Sequence, residues 1–181
     1  MAWQLLDGEP LRVRTRIAGE EDLTVVNLDY STRRWELSDP DARTAVQVER
    51  TGNRLCAAGR LDGESIHLCR SIDAAPWYQT LSLSLRPFLD SSQTALEFWS
   101  LRPKTLKPYK LRAVKQQDEE IEVLGKKILA QRVEIRLAGL GGLFWKAHYW
   151  FRDSDALFVR YCGPTGLPGA SKTIVTLQPP I

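Results

Sequence analysis

Apolar and polar residues alternate with period two along most of this chain, the mark of strands with one buried and one wet face. Leu11 to Ile17 sets apolar positions against Arg12, Arg14 and Arg16. Leu23 to Tyr30 reads as a second strand, Ser31 to Arg34 as a turn, and Trp35 to Leu37 as the returning strand. Thr44 to Arg50, Arg54 to Leu61 and Glu64 to Arg70 then read as a meander, turned at Gly52-Asn53 and at Asp62-Gly63. Asp-Gly is a strong two-residue hairpin signal, because both central residues must take positive φ. It pairs Leu61 with Glu64, Gly59 with Ile66, Ala57 with Leu68 and Cys56 with Cys69. With Gly52-Asn53 as a second two-residue turn, Val48 faces Ala57 and Val46 faces Gly59. Val46, Val48, Ala57, Leu61, Ile66 and Leu68 then share one apolar face, so two turn readings agree on one register.

The period changes once. Trp77, Leu81, Leu85 and Phe88 recur at helical spacing, Ser71 or Asp73 can cap, and Pro76 suits a first turn, which predicts a helix over residues 75 to 89. A strand through Leu81, Leu83 and Leu85 is the competing reading. Strands are predicted again at Ala95 to Leu101, Tyr109 to Lys115, Glu120 to Leu124 and Ile128 to Leu137. Gly139, Gly141 and Gly142 form a turn into Leu143 to Phe151, which is apolar or aromatic on both faces. An acidic turn at Asp153 to Asp155 leads to a strand at Leu157 to Cys162, a loop at Gly163 to Gly169 and a last strand at Thr173 to Leu177. The expected fold is all-β with one main helix: a strongly curved antiparallel sheet, or partly open β-barrel, wrapped around that helix in a single domain over residues 1–181.

Composition agrees with an ordinary globular protein, at 43% hydrophobic and 26% charged residues. The formal net charge of +3 is too mild to favour nucleic acid. No stretch reaches the ~18 apolar residues of a spanning helix. The opening MAWQLLDGEPLRVR has neither a basic start nor an apolar run, so the chain as given is expected in the cytoplasm. A removed N-terminal signal would make it periplasmic. Three cysteines, an odd number, fit a reducing compartment. The hairpin sets Cys56 and Cys69 opposite each other at a non-hydrogen-bonded site with Cα atoms about 4.5 Å apart. A bridge is within reach there, but two free thiols in contact are expected.

Gly125, Lys126-Lys127-Ile128, Ala130, Arg132 to Ile135, Tyr149-Trp150-Phe151 and Leu157 to Tyr161 carry a resemblance. This segment resembles a group of bacterial β-sheet proteins of uncharacterised function that are similar to the lipoprotein-carrier fold. In that fold a curved antiparallel sheet wraps around helical plugs. The resemblance implies a fold and an apolar cavity, and supplies no catalytic residue.

Candidate chemistry is sparse. Gly163 to Thr173 looks like a phosphate loop, but Ser171 separates the glycines from Lys172-Thr173 and two prolines remove N–H donors, so a hairpin loop is the better reading. His148 lacks a marked nucleophile or a ligand cluster with metal spacing. The carboxylate pairs Glu119-Glu120 and Asp153/Asp155 fall at strand ends and turns, where solvated charge is expected. A basic stretch from Arg102 to Lys115 is offset by the acidic run Asp118 to Glu122. No cofactor or metal is expected.

The aromatics are the strongest clue: Phe144, Trp145, Tyr149, Trp150, Phe151, Phe158 and Tyr161 crowd two adjacent strands. They suit either the wall of an apolar cavity or a large core packed on Trp77 and Phe88. The leading expectation is non-catalytic binding of an apolar or amphiphilic small molecule in the concave face. Trp77, Trp145, Tyr149 and Phe151 would line it, and Arg112 or His148 would orient a polar head. The alternative is a β-sheet interaction module that pairs with itself as a homodimer or with a partner. A third reading is an enzyme with an unorthodox site on a carrier-like fold.

Overall fold

The computed structural model describes residues 2–6, 10–17, 19–139, 145–164 and 172–176. The fold is all-β, built from two antiparallel sheets. Among the described residues no helix is long and apolar enough to cross a membrane. The chain divides into two compact units, Met1–Ser84 with Trp99–Tyr109 and Leu85–Phe98 with Lys110–Ile181.

The first sheet runs in strict chain order: β1 Ala2–Leu6, β2 Arg12–Ile17, β3 Glu20–Val26, β4 Thr32–Asp39, β5 Thr44–Thr51, β6 Arg54–Leu61 and β7 Glu64–Ser71. The meander register is the one the turns specify. Leu61 pairs with Glu64, Ala57 with Leu68, Val48 with Ala57 and Val46 with Gly59. Asp62 and Gly63 take the positive φ that a two-residue hairpin needs, at 50° and 85°. Val46, Val48 and Ala57 are buried with Trp35, Leu37 and Leu55, while Leu61, Ile66 and Leu68 pack against them. Gly59 is required for a different reason. Its φ is +131°, and a Cβ there would lie 2.2 Å from the Ala45 carbonyl oxygen.

Two expectations for this unit are corrected, and one strand is added. The turn between β3 and β4 lies at Asn27 to Tyr30 rather than Ser31 to Arg34. There the Asp29 carboxylate accepts hydrogen bonds from the Ser31 N–H and hydroxyl, at 2.9 and 2.6 Å, and Tyr30 takes a φ of 61°. Cys56 and Cys69 are not free thiols but a disulfide, their directly opposed Cα atoms 4.1 Å apart. The strand β1, which the sequence pattern left unassigned, pairs with β2.

The helix over 75 to 89 is shorter and broken. Helix appears only as α1 Leu81–Ser84 and α2 Arg86–Asp90, with Leu85 between them. Residues 76–79 are extended instead. Trp77 forms a parallel bridge with Trp99, the Trp99 N–H donates to Pro76 O and the Tyr78 N–H to Trp99 O, both at 2.8 Å. The Thr32 N–H donates to Trp77 O at 2.7 Å. Backbone groups committed to neighbouring strands cannot also close helical turns, so α1 starts only past Thr80. Leu81 is half-buried, and Leu83 and the fully buried Leu85 carry the apolar load expected of it.

The second sheet contains β8 Ala95–Arg102, β9 Lys107–Lys115, β10 Glu119–Val123, β11 Lys126–Leu137, β12 Lys146–Arg152, β13 Phe158–Pro164 and β14 Lys172–Thr176. Its order is β14-β13-β12-β11-β9-β8, with β10 also paired to β11. The strands β8 and β9 contribute residues to both units. The expected turn residues Gly141 and Gly142, the loop residues 165–169 and Leu177 lie outside the described residues.

Candidate functional site

Side chains alternate across a strand, so the register of β9, β11, β12 and β13 decides which residues of the second unit can meet. Val133 is opposite Tyr149, and Ile135 is opposite both Ala147 and Ala113. Tyr149 in turn faces Tyr161, and Phe151 faces Phe158 across a bulge in β12. These residues form the inner face: Ala113, Val133, Ile135, Ala147 and Phe151 are all fully buried.

On this face the rings of Tyr149, Phe151, Phe158 and Tyr161 touch in a continuous cluster. Tyr149 meets Tyr161 edge-on at 5.0 Å between centroids and Phe158 at 5.9 Å, and Phe151 meets Phe158 at 6.0 Å. These are favourable aromatic geometries. The rings fit because their neighbours are small. Ala147 lies beside them, and a Cβ on Gly163 would come within 2.3 Å of the Tyr161 hydroxyl oxygen. Burial pushes the Tyr149 phenol well above its usual pKa, with Tyr161 adding to it. Burial, then Cys162, raises Tyr161 in the same direction, so both phenols stay neutral donors.

The other face is charged. Arg136 stands directly opposite Arg112 on one side and Lys146 on the other. Glu134, 13% exposed, lies one pair along and opposite His148. It takes 3.2 Å from Lys146 Nζ, 3.7 Å from His148 Nε2 and 3.9 Å from Arg136. Glu97 approaches Lys110 at 3.2 Å and Arg112 at 3.9 Å. Trp150 closes one end of this face in a small core with Ile121, Val123, Ile128, Ala130 and Val159, and its indole N–H donates to Glu119.

Of the residues expected to line one cavity, the structure brings together Tyr149 and Phe151. Trp145 is half-buried immediately before β12. Arg112 and His148 are on the charged face, so strand alternation prevents either from orienting a head group held against Tyr149. Trp77 belongs to the core of the first unit and is fully buried there with Trp35 and Leu101. Phe144 lies outside the described residues. The sequence reading missed Glu134 as the carboxylate that gathers cations around His148. Its only signal is the alternation Arg132, Glu134, Arg136, and no two-residue turn sets its partners on β12.

Other candidates resolve into ordinary roles. His67 is exposed on β7. The Arg152 guanidinium grips Asp155 at 2.8 and 2.6 Å and holds its carboxyl below the usual range. Asp22 moves the other way. Burial, then the charge of Glu20, pushes it up to about 6 against a lowering hydrogen bond from Trp35. Among the described residues no group of three or more His, Cys, Asp and Glu side chains could hold a metal ion. An open hollow of about 500 Å³ in the first unit is lined by Arg70, Thr105, Lys107 and Pro108. Compared with family models, curated proteins and solved structures, the chain matches none.

Proposed function

We propose that the protein is a non-catalytic binding protein that takes an apolar or amphiphilic molecule against the aromatic face of β12 and β13. One observation carries this reading. Four contacting rings occupy one face, and Tyr149 and Tyr161 are half-buried rather than fully buried, so the cluster keeps some exposed aromatic surface and carries two neutral phenols. Aromatic surface with a few polar donors is the usual lining of a small-molecule site. The resemblance to the lipoprotein-carrier fold supports the same reading. Trp145, next to the cluster in sequence, supplies a reporter. Its emission should change saturably when the protein is titrated with a fatty acid, a lysolipid or an indolic compound, and Tyr149→Ala should weaken the response. No change with any of the three would refute the proposal.

A second reading, self-association by a sheet edge, is favoured by Ile174. It is 66% exposed on β14, the terminal strand of its sheet. Sedimentation velocity of wild type against Ile174→Lys tests it: a dimer lost in the variant supports the edge, and a monomer in both removes it.

A further inference from the structure

We propose that the charged face of β9, β11 and β12 docks on an anionic lipid bilayer. This face is the reverse of the aromatic one, and the proposal does not rest on ligand binding there. The observation is a row of like charges. Arg112, Arg136 and Lys146 occupy directly opposed positions on three adjacent strands. Opposed side chains in a sheet have Cβ atoms about 4.5–5.5 Å apart, and like charges so placed destabilise the pair. The three side chains are 44%, 37% and 45% exposed, so they keep their charge at the surface. Carboxylates offset part of this repulsion, Glu134 beside Arg136 and Lys146 and Glu97 beside Arg112, and an anionic partner takes up the positive charge that remains in excess.

The rest of the face agrees. Arg132 and Arg160 flank Trp150 in register, and Lys110 lies beside Arg112 on β9. Six cations thus meet three carboxylates, Glu97, Glu119 and Glu134.

The geometry points to a surface rather than a small anion or a nucleic acid. Adjacent strands present a row of heads, not the concave walls that enclose a small ligand. Single-stranded nucleic acid is held by exposed aromatic platforms. The face's own aromatic, Trp150, is packed in its small core and bonded to Glu119 instead. Ile174 shares this face, because Glu134 pairs with His148, His148 with Cys162 and Cys162 with Ile174. An exposed isoleucine beside a basic plane is the pairing that suits a bilayer interface, where Lys and Arg meet phosphate groups and an apolar side chain enters the acyl boundary.

Vesicle flotation of the full chain tests this, using phosphatidylcholine alone and phosphatidylcholine with added phosphatidylglycerol, each at low and high salt. The expected result is binding only to the anionic vesicles, weakened by salt. Arg112→Gln/Arg136→Gln/Lys146→Gln should lose about tenfold or more. Arg33→Gln/Arg54→Gln/Arg60→Gln removes the same charge from exposed positions in the first unit and should retain binding. Lys146→Gln alone should lose less than the triple variant, and Glu97→Gln should bind more tightly, so the test survives a triple variant that folds poorly. Equal binding to both vesicle types, no binding by folded wild type, or equal loss in both triple variants would overturn the proposal. So would a single-stranded RNA that binds through the same three residues while vesicles do not.

Discussion

Cys56 on β6 and Cys69 on β7 stand directly opposite each other and are joined by a disulfide across a sequence separation of 13. The bridge closes the Asp62-Gly63 hairpin and lies opposite Glu49 of β5, on the side of the meander away from Ala57 and Leu68. A closed loop of this size limits the unfolded chain and is worth about 3 kcal/mol. Reduction, or Cys56→Ala/Cys69→Ala, should therefore lower unfolding stability by roughly 2–4 kcal/mol in urea melts. Thiol titration of the denatured, unreduced protein should find one thiol, that of Cys162, and three after reduction. Three thiols without reductant would contradict the bridge.

Gly59→Ala should be among the most damaging single changes in the first unit. The new Cβ meets backbone, the Ala45 carbonyl oxygen, which cannot swing aside as a side chain does, and alanine strongly disfavours a φ of +131°. A loss of more than about 2 kcal/mol is expected from thermal or urea unfolding. A neutral outcome would refute the close pairing of β5 and β6.

Leu85→Ala tests the burial of the residue that separates α1 from α2 in the chain. Leu85 is fully buried, so the change should cost about 2–5 kcal/mol from lost transfer energy and the cavity left behind. Leu81→Ala should cost less, because Leu81 is half-buried.

Asp22 gives stability a pH dependence of definite sign. Its folded pKa of about 6 exceeds the ordinary 3.8, so the folded state holds the proton more tightly. The unfolded state therefore ionises first as pH rises, and this residue lowers stability progressively between about pH 4 and 6 and fully above. Asp22→Asn should be more stable than wild type at pH 7, and the difference should fade toward pH 4. Urea midpoints across that range measure it, and a constant difference would contradict the shift.

The meander was legible in the sequence because two-residue turns leave no freedom of register. Asp62-Gly63 and Gly52-Asn53 set every pair from Thr51 to Ser71. The segment around Trp77 was less legible, since apolar residues at helical spacing also serve when the chain is extended and pairs with Trp99. At the candidate site, composition pointed to the aromatics of β12 and β13 but not to their faces. The link between β11 and β12 is long, so nothing local in the sequence places Arg136 opposite Lys146, whereas alternation along one strand already separates His148 from Tyr149.

Native mass spectrometry, after incubation with a mixture of fatty acids and lysolipids, is the most direct test of amphiphile binding at the aromatic face. The account predicts a one-to-one complex that survives gentle activation and is lost in Tyr149→Ala. A spectrum that shows only the bare chain, with every amphiphile offered, would contradict it.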